Sequence, residues 1–312
     1  MAIQKKRGYR NKIYSNLKAY LDEKLVARGW FDNVASGETD WNSNNLSRLF
    51  PVQNDPNYPI DTGTSVHVFQ GYRRNWVSES GITIIGSGVS SPTIPRAAIV
   101  GGVSSGSAPF SQGNNTSGVA IDFRNGRVIF EKPVLASTTI EVPHSYKEVW
   151  VDTIARDMIT TQATTVDNTK HIIINNVPSG EVGQLPMILM EIGDNPAPRG
   201  RQLGGGLIFD PIVFCHVIAE NRYDKDELID FLQYLTHQSV RMVDFDLAPA
   251  LFTYEGDFAT TWETLSSLAT NYQGPLMWFK GVSLVDNNDI AEDGYYTALV
   301  KMEVEIHTNE VF

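Results

Sequence analysis

Val300-Lys301-Met302-Glu303-Val304-Glu305-Ile306-His307 alternates apolar and polar residues without a break. Successive side chains of a strand point to opposite sides, so Val300, Met302, Val304 and Ile306 form one face and Lys301, Glu303, Glu305 and His307 the other. A strand with one dry and one wet face belongs to an antiparallel sheet packed on one side only. Its wet side, above all Lys301, Glu303 and Glu305, is expected to meet solvent or a subunit.

Helices to cover the dry face can be read upstream. Ile13, Leu17, Leu21 and Leu25 recur every four positions between a capping Asn11 and Gly29, which predicts a helix over 12–28 with Gly29 just past its end. Asp224 as cap, Glu227 three residues on and Leu228 stapled to Tyr223 predict a second helix, striped by Leu228, Phe231, Leu232 and Leu235. Thr260 with Glu263 repeats that spacing ahead of Trp262, Leu265, Leu268 and Tyr272. The runs 172–174, 185–192 and 207–219 read as strands between these helices.

The middle of the chain has a different texture. Short β-rich runs at 66–70, 76–77, 82–85, 119–123, 128–130, 138–142 and 149–151 indicate a β domain, and Asn125-Gly126 suits a two-residue type I′ hairpin turn. Residues 30–59, rich in Asn, Asp, Ser and Pro, read as an irregular connection. The Gly/Ser/Pro-rich stretch 86–118, with Gly102 and Ser105, reads as a long loop of the kind that binds something. The expected class is α+β in three parts: a basic arm, helix and irregular connection over 1–59, an antiparallel β domain over 60–152, and an α+β domain over 153–312. In the last, a mainly antiparallel sheet is flanked by helices.

Composition narrows the chemistry. With 312 residues, 42% of them hydrophobic, the chain has material for real cores, and the single Cys215 excludes an intrachain disulfide and a cysteine zinc cluster. The six histidines are scattered, with no His-x-x-x-His or EF-hand spacing, and Asp244-Phe245-Asp246 reads as acids at a strand end. Gly204-Gly205-Gly206 leads into a β-like run without Gly-Lys-Ser/Thr, and no Gly-x-Ser-x-Gly elbow occurs. Cys215 and His216 point to opposite faces of their strand, which makes the cysteine a core residue. No catalytic residue, cofactor or metal ligand is therefore expected. No stretch reaches the roughly 18 apolar residues of a membrane span, and no apolar run follows Lys5-Lys6-Arg7, so a soluble chain is expected.

Charge is unevenly spread. Residues 1–30 hold eight Lys/Arg against two acids, a net of +6, while the remaining 282 carry −17. An acidic body disfavours general nucleic-acid binding, whereas the arm (Lys5, Lys6, Arg7, Arg10) can touch a nucleic acid or an acidic protein partner.

Two segments resemble structural proteins of tailed-bacteriophage virions, in the tail-terminator and neck (head-to-tail connector) group. One combines 72–81, 122–130 and Tyr146-Lys147-Glu148-Val149-Trp150-Val151; the other combines Leu185-Pro186-Met187-Ile188-Leu189-Met190, Leu203-Gly204-Gly205-Gly206 and 214–228. The resemblance implies a tail-terminator-like sheet with the N-terminal helix packed on it and the β domain as an insertion. It also implies a homo-oligomeric ring, hexameric or dodecameric, between portal or adaptor proteins on one side and tail tube or sheath proteins on the other. DNA would pass through its lumen without sequence-specific binding. The expected role is a non-enzymatic virion protein that joins or terminates the tail, with no membrane partner. Lys5, Lys6, Arg7, Arg10, Gly102, Ser105, Lys301, Glu303 and Glu305 are the candidate contacts. Two alternatives stay open: a carbohydrate- or receptor-binding tail or baseplate module, favoured if exposed aromatics such as Tyr72 and Trp76 line a groove, and a polysaccharide hydrolase with a carboxylate pair among the 36 acids.

Overall fold

Helix α1 (Tyr9–Ala27) forms where the four-residue spacing of Ile13, Leu17, Leu21 and Leu25 predicts it, and all four side chains are at most 2% exposed. Gly29, at φ +96°, ends it with its N–H on the Val26 carbonyl at 3.0 Å, a left-handed conformation that costs glycine little. The computed structural model describes residues 9–40, 43–52, 64–78, 82, 119–153, 164–166, 171–174, 182–193, 199–200, 206–244, 265–271, 273–292 and 295–308. Expectations placed on the loop 86–118, on 83–85 and on Thr260 with Glu263 lie outside them. The class is α+β, with three helices and mostly antiparallel sheets among the described residues. The chain divides into two units, one holding the described residues of 26–148, the other those of 9–25, 149–244 and 265–308.

In the first unit, β1 (Phe31–Val34), β2 (Phe50–Val52), β3 (Ser65–Gln70), β4 (Val119–Asp122), β5 (Arg127–Leu135) and β6 (His144–Lys147) make an antiparallel sheet of order β2-β3-β5-β4 and a β1-β6 pair. Phe69, Trp76, Val128, Phe130 and Val142 are buried at its core. The Asn125-Gly126 turn differs from expectation. Asp122 pairs with Arg127, so the hairpin loop has four residues, and of these only Gly126 takes a positive φ, +61°. The two-residue turn is displaced because Asp122 accepts from the Asn125 N–H (3.1 Å) and amide (2.9 Å), while the Phe123 and Arg124 carbonyls accept from Trp76 and Asn75. Residues 138–142 form no strand. Val142 N–H bonds to the Ser47 carbonyl and Leu49 N–H to that of Ile140, which ties this segment down as a strap.

The second unit continues with β7 (Trp150–Thr153), β8 (Thr164–Val166), β9 (His171–Ile174), β10 (Val182–Gln184), β11 (Met187–Ile192), β12 (Arg199–Gly200), β13 (Leu207–Phe209), β14 (Ile212–Ala219), α2 (Arg222–Tyr234), β15 (Ser239–Val243), α3 (Leu265–Asn271), β16 (Gln273–Glu292) and β17 (Tyr295–Thr308). Strands β8 to β10 form a small antiparallel sheet, and the other eight build one mixed sheet. β17 is central. It pairs with β13 and β14 end to end along one side and with β16 along the other; β15 lies beyond β16, β11 beyond β14, and β7 joins β11 in parallel.

One face of this sheet is dry. Cys215, Met277, Phe279, Val300, Met302, Val304 and Ile306 are all at most 1% exposed. Helix α2 packs on β14, β16 and β17, α3 on β15 and β16, and the Tyr20 ring of α1 stacks on Phe279 at 5.4 Å. Helix α2 starts three residues earlier than the sequence suggests. Its cap is Asn221, whose Oδ1 accepts from the Asp224 N–H (2.8 Å) while its amide donates to the Asp224 carboxylate (2.7 Å). With Tyr223 inside the helix and 71% exposed, there is no staple to Leu228. β16 was not evident in the sequence. Its pairing with β17 slips between Phe279 and Gly281, between Leu284 and Asp286, and between Asn288 and Glu292, so it bulges three times along its length.

Candidate interaction surface

The other face of the large sheet carries the wet side of β17. Cross-strand register sets its neighbours: His307 lies between Leu276 and Ile208, Glu305 opposite Trp278, Glu303 between Gly281 and Ile212, and Lys301 between Ser283 and Phe214. Leu276 and Trp278 are 39% and 40% exposed, so apolar and charged groups lie side by side across three strands.

The charges form two linked sets. Lys301 donates to Glu303 at 2.7 Å. Lys280, the bulged residue of β16, bonds the Glu305 carboxylate and reaches Asp210 at 3.4 Å; Asp210 also pairs with Arg199, and Glu305 with His307. Three of these groups are shifted by their contacts. The hydrogen bond from Lys301 holds the Glu303 carboxyl below the usual range, and the bond to Glu305 raises the Lys280 ammonium. Partial burial works to raise Glu305, but the hydrogen bonds from Lys280 and His307 outweigh it and leave it depressed. Beside this patch, burial lowers His216, with Glu191 3.8 Å away acting in the opposite sense.

Nothing in this arrangement joins a nucleophile to a base. Cys215 points to the dry face, its Sγ 3.3 Å from Met302 Sδ, and burial pushes its thiol up to about 12. Asp244 pairs with Lys12 at 3.3 Å, while Phe245 and Asp246 lie outside the described residues. Among the described residues, no group of three or more His, Cys, Asp or Glu is placed to hold a metal ion, and no helix is long and apolar enough to cross a membrane.

Of the residues singled out from sequence, Lys301, Glu303 and Glu305 come together here. Arg10 is exposed in the first turn of α1, away from these three along the chain, and Lys5, Lys6, Arg7, Gly102 and Ser105 lie outside the described residues. Leu276, Trp278, Lys280 and Asp210 were missed. The run Leu276-Met277-Trp278-Phe279 is apolar at every position, so its two faces cannot be told apart by alternation.

Tyr72 and Trp76 do not form an exposed aromatic pair. Trp76 is 1% exposed, with its indole N–H on the Arg73 carbonyl at 2.8 Å, and Tyr72 packs edge-on against Phe50 at 4.5 Å. Behind Trp76, the His144 ring packs at a tilt with its centroid 4.5 Å away, its Nδ1 on the Val142 carbonyl and its Nε2 without a hydrogen-bond partner among the described residues. Burial drives its pKa down to about 4 against the Val142 bond, with Arg73 lowering it further and Glu38 opposing. No family of known proteins, no curated protein and no solved structure matches the chain.

Proposed function

We propose that this chain is a non-enzymatic structural protein of a tailed-phage virion, forming a homo-oligomeric ring at the neck or tail end that joins or terminates the tail and lets DNA pass. The observation that carries the reading is the part of the large sheet's second face around β16 that stays exposed, while its β7–β11 end is buried around Trp150, Met187 and Leu189. There Trp278 and Leu276 stand beside charges already committed to one another within the chain, Lys301 with Glu303 and Lys280 with Glu305 and Asp210. Exposed aromatic and aliphatic side chains give another protein surface apolar area to cover, and because the neighbouring charges are paired within the chain, covering them leaves no uncompensated charge behind. A ring needs one surface of each copy to meet a different surface of the next, and the virion neighbours would stack on its two rims. The packing of α1 on the sheet (Tyr20 on Phe279) and the order β11, β14, α2 support the tail-terminator likeness. The acidic body suits a DNA channel, since a basic lining would retard passage.

Native mass measurement and negative-stain microscopy of the purified chain and of particles test the reading. Rings of defined copy number are expected. A species that stays monomeric up to its solubility limit and is missing from particles overturns it.

A further inference from the structure

Helix α2 buries Leu228, Ile229, Phe231 and Leu232. At about 100° per residue, Tyr223, Glu227, Asp230 and Tyr234 share a stripe roughly 60° wide on the opposite side of the helix. Tyr223 and Tyr234, 71% and 61% exposed, are the most exposed large apolar side chains among the described residues. Between them, Glu227 and Asp230 are exposed and make no hydrogen bond or ion pair among the described residues. Nor does the helix offer them a cation. Three and four positions away stand Tyr223, Asp224 and Phe231 for Glu227, and Asp226, Gln233 and Tyr234 for Asp230, and the two acids are three apart themselves. Such spacings repel rather than pair.

We propose that this face of α2 docks the basic segment Lys5-Lys6-Arg7, with Arg10, of a second copy of the chain. The inference rests on the self-association proposed above and names one of its contacts. Charge complementarity selects the occupant, because this is the basic end of a chain that is otherwise strongly acidic. The flanking tyrosine rings suit Lys and Arg, which bind over aromatic faces. The donor is another copy for geometric reasons. Lys5 lies four residues before Tyr9, which limits its reach to about 14 Å. Helix α1 meets the turn that follows α2 through Tyr20, whose hydroxyl donates to Gln238 at 2.9 Å, about 16 Å along α1 from Tyr9. Toward its N-terminus α1 then follows β15 away from α2, with Asn16 on Val243 and Lys12 on Asp244. The basic triplet of the same copy therefore falls short of Glu227.

The test is a charge exchange in the full chain. Glu227→Lys with Asp230→Lys, and separately Lys5→Glu, Lys6→Glu and Arg7→Glu, are each expected to weaken self-association at least about tenfold in sedimentation velocity, and the two sets combined to restore it. Association unchanged by the α2 pair overturns the inference, as does failure of the combined set to recover; so does an effect of the arm set alone, which would mark a nucleic acid or another protein as the partner. If the parent chain is itself monomeric, the ring reading falls separately. The dock is then read from the anisotropy of a labelled peptide of residues 3–12 titrated into the full chain. Binding that weakens at least about tenfold with the α2 pair supports the dock, and absent or unchanged binding overturns it.

Discussion

Asn16 of α1 grips Val243 of β15 twice: the Val243 N–H donates to Asn16 Oδ1 at 2.7 Å, and Asn16 Nδ2 donates to the Val243 carbonyl at 3.2 Å. Asn16 is 1% exposed, so its carboxamide satisfies two backbone groups that water does not reach from its side. Asn16→Leu leaves both without that partner and is expected to cost about 2–4 kcal/mol in urea unfolding. Asn16→Asp keeps only the acceptor and should fall between. A loss under about 0.5 kcal/mol for Asn16→Leu would show that the pair does not anchor the helix.

His144 makes the first unit sensitive to acid. Its folded pKa of about 4 lies below the ordinary 6.5, so the unfolded chain takes up the proton first. The stability it contributes is complete above pH 6.5 and is lost as pH falls toward 4, amounting to about 2–3 kcal/mol by pH 4.5. His144→Phe, which can still stack on Trp76, should flatten the pH dependence of unfolding by that amount relative to the parent. Identical pH profiles for the two proteins would refute it.

Two glycines with left-handed backbones should respond unequally to alanine. A Cβ on Gly126 would sit 2.4 Å from the Arg73 carbonyl, where the 73–76 loop lies against the β4–β5 hairpin, whereas one on Gly29 meets nothing within 4 Å. Gly29→Ala should cost about 1–2 kcal/mol from its φ alone. Gly126→Ala should cost about 3 kcal/mol or more, because backbone must move as well. Thermal unfolding of the two variants side by side checks the order, and equal losses would contradict it.

Trp278→Ser together with Leu276→Ser removes the apolar part of the open sheet face without touching the core. With Leu276 39% and Trp278 40% exposed, folded stability should fall by about 1–3 kcal/mol and the chain stay folded, while the ring proposed above is expected to give way to smaller species in native mass spectra. Undiminished assembly would remove this face from the interface.

The parts of the fold that were legible obey a single period. Ile13, Leu17, Leu21 and Leu25 mark α1, and Val300 to His307 mark β17, because each keeps one face dry throughout. The parts that were hidden break period or depend on distant partners. β16 resets its faces at each bulge, so Leu284 and Val285 are neighbours in sequence and both exposed. The cap of α2 falls on Asn221 because its side chain closes a reciprocal pair with Asp224, a contest with Asp224 as cap that spacing alone does not decide. Trp76 looks like a surface aromatic until Phe123, His144 and Tyr146, far away in sequence, are seen packed around it. The candidate surface was half legible for the same reason: Lys301, Glu303 and Glu305 lie on the periodic strand, whereas Lys280 and Asp210 reach them only through pairing.

Beyond Phe279, no strand among the described residues runs along the outer edge of β16, which would otherwise invite another chain to add itself there. The three slips in register prevent this. They kink the edge every few residues and place Lys280 at the first of them, so no straight ladder of amides is on offer. Along this stretch the bulges oppose sheet extension, so a second copy meeting it would do so through side chains rather than by adding a strand.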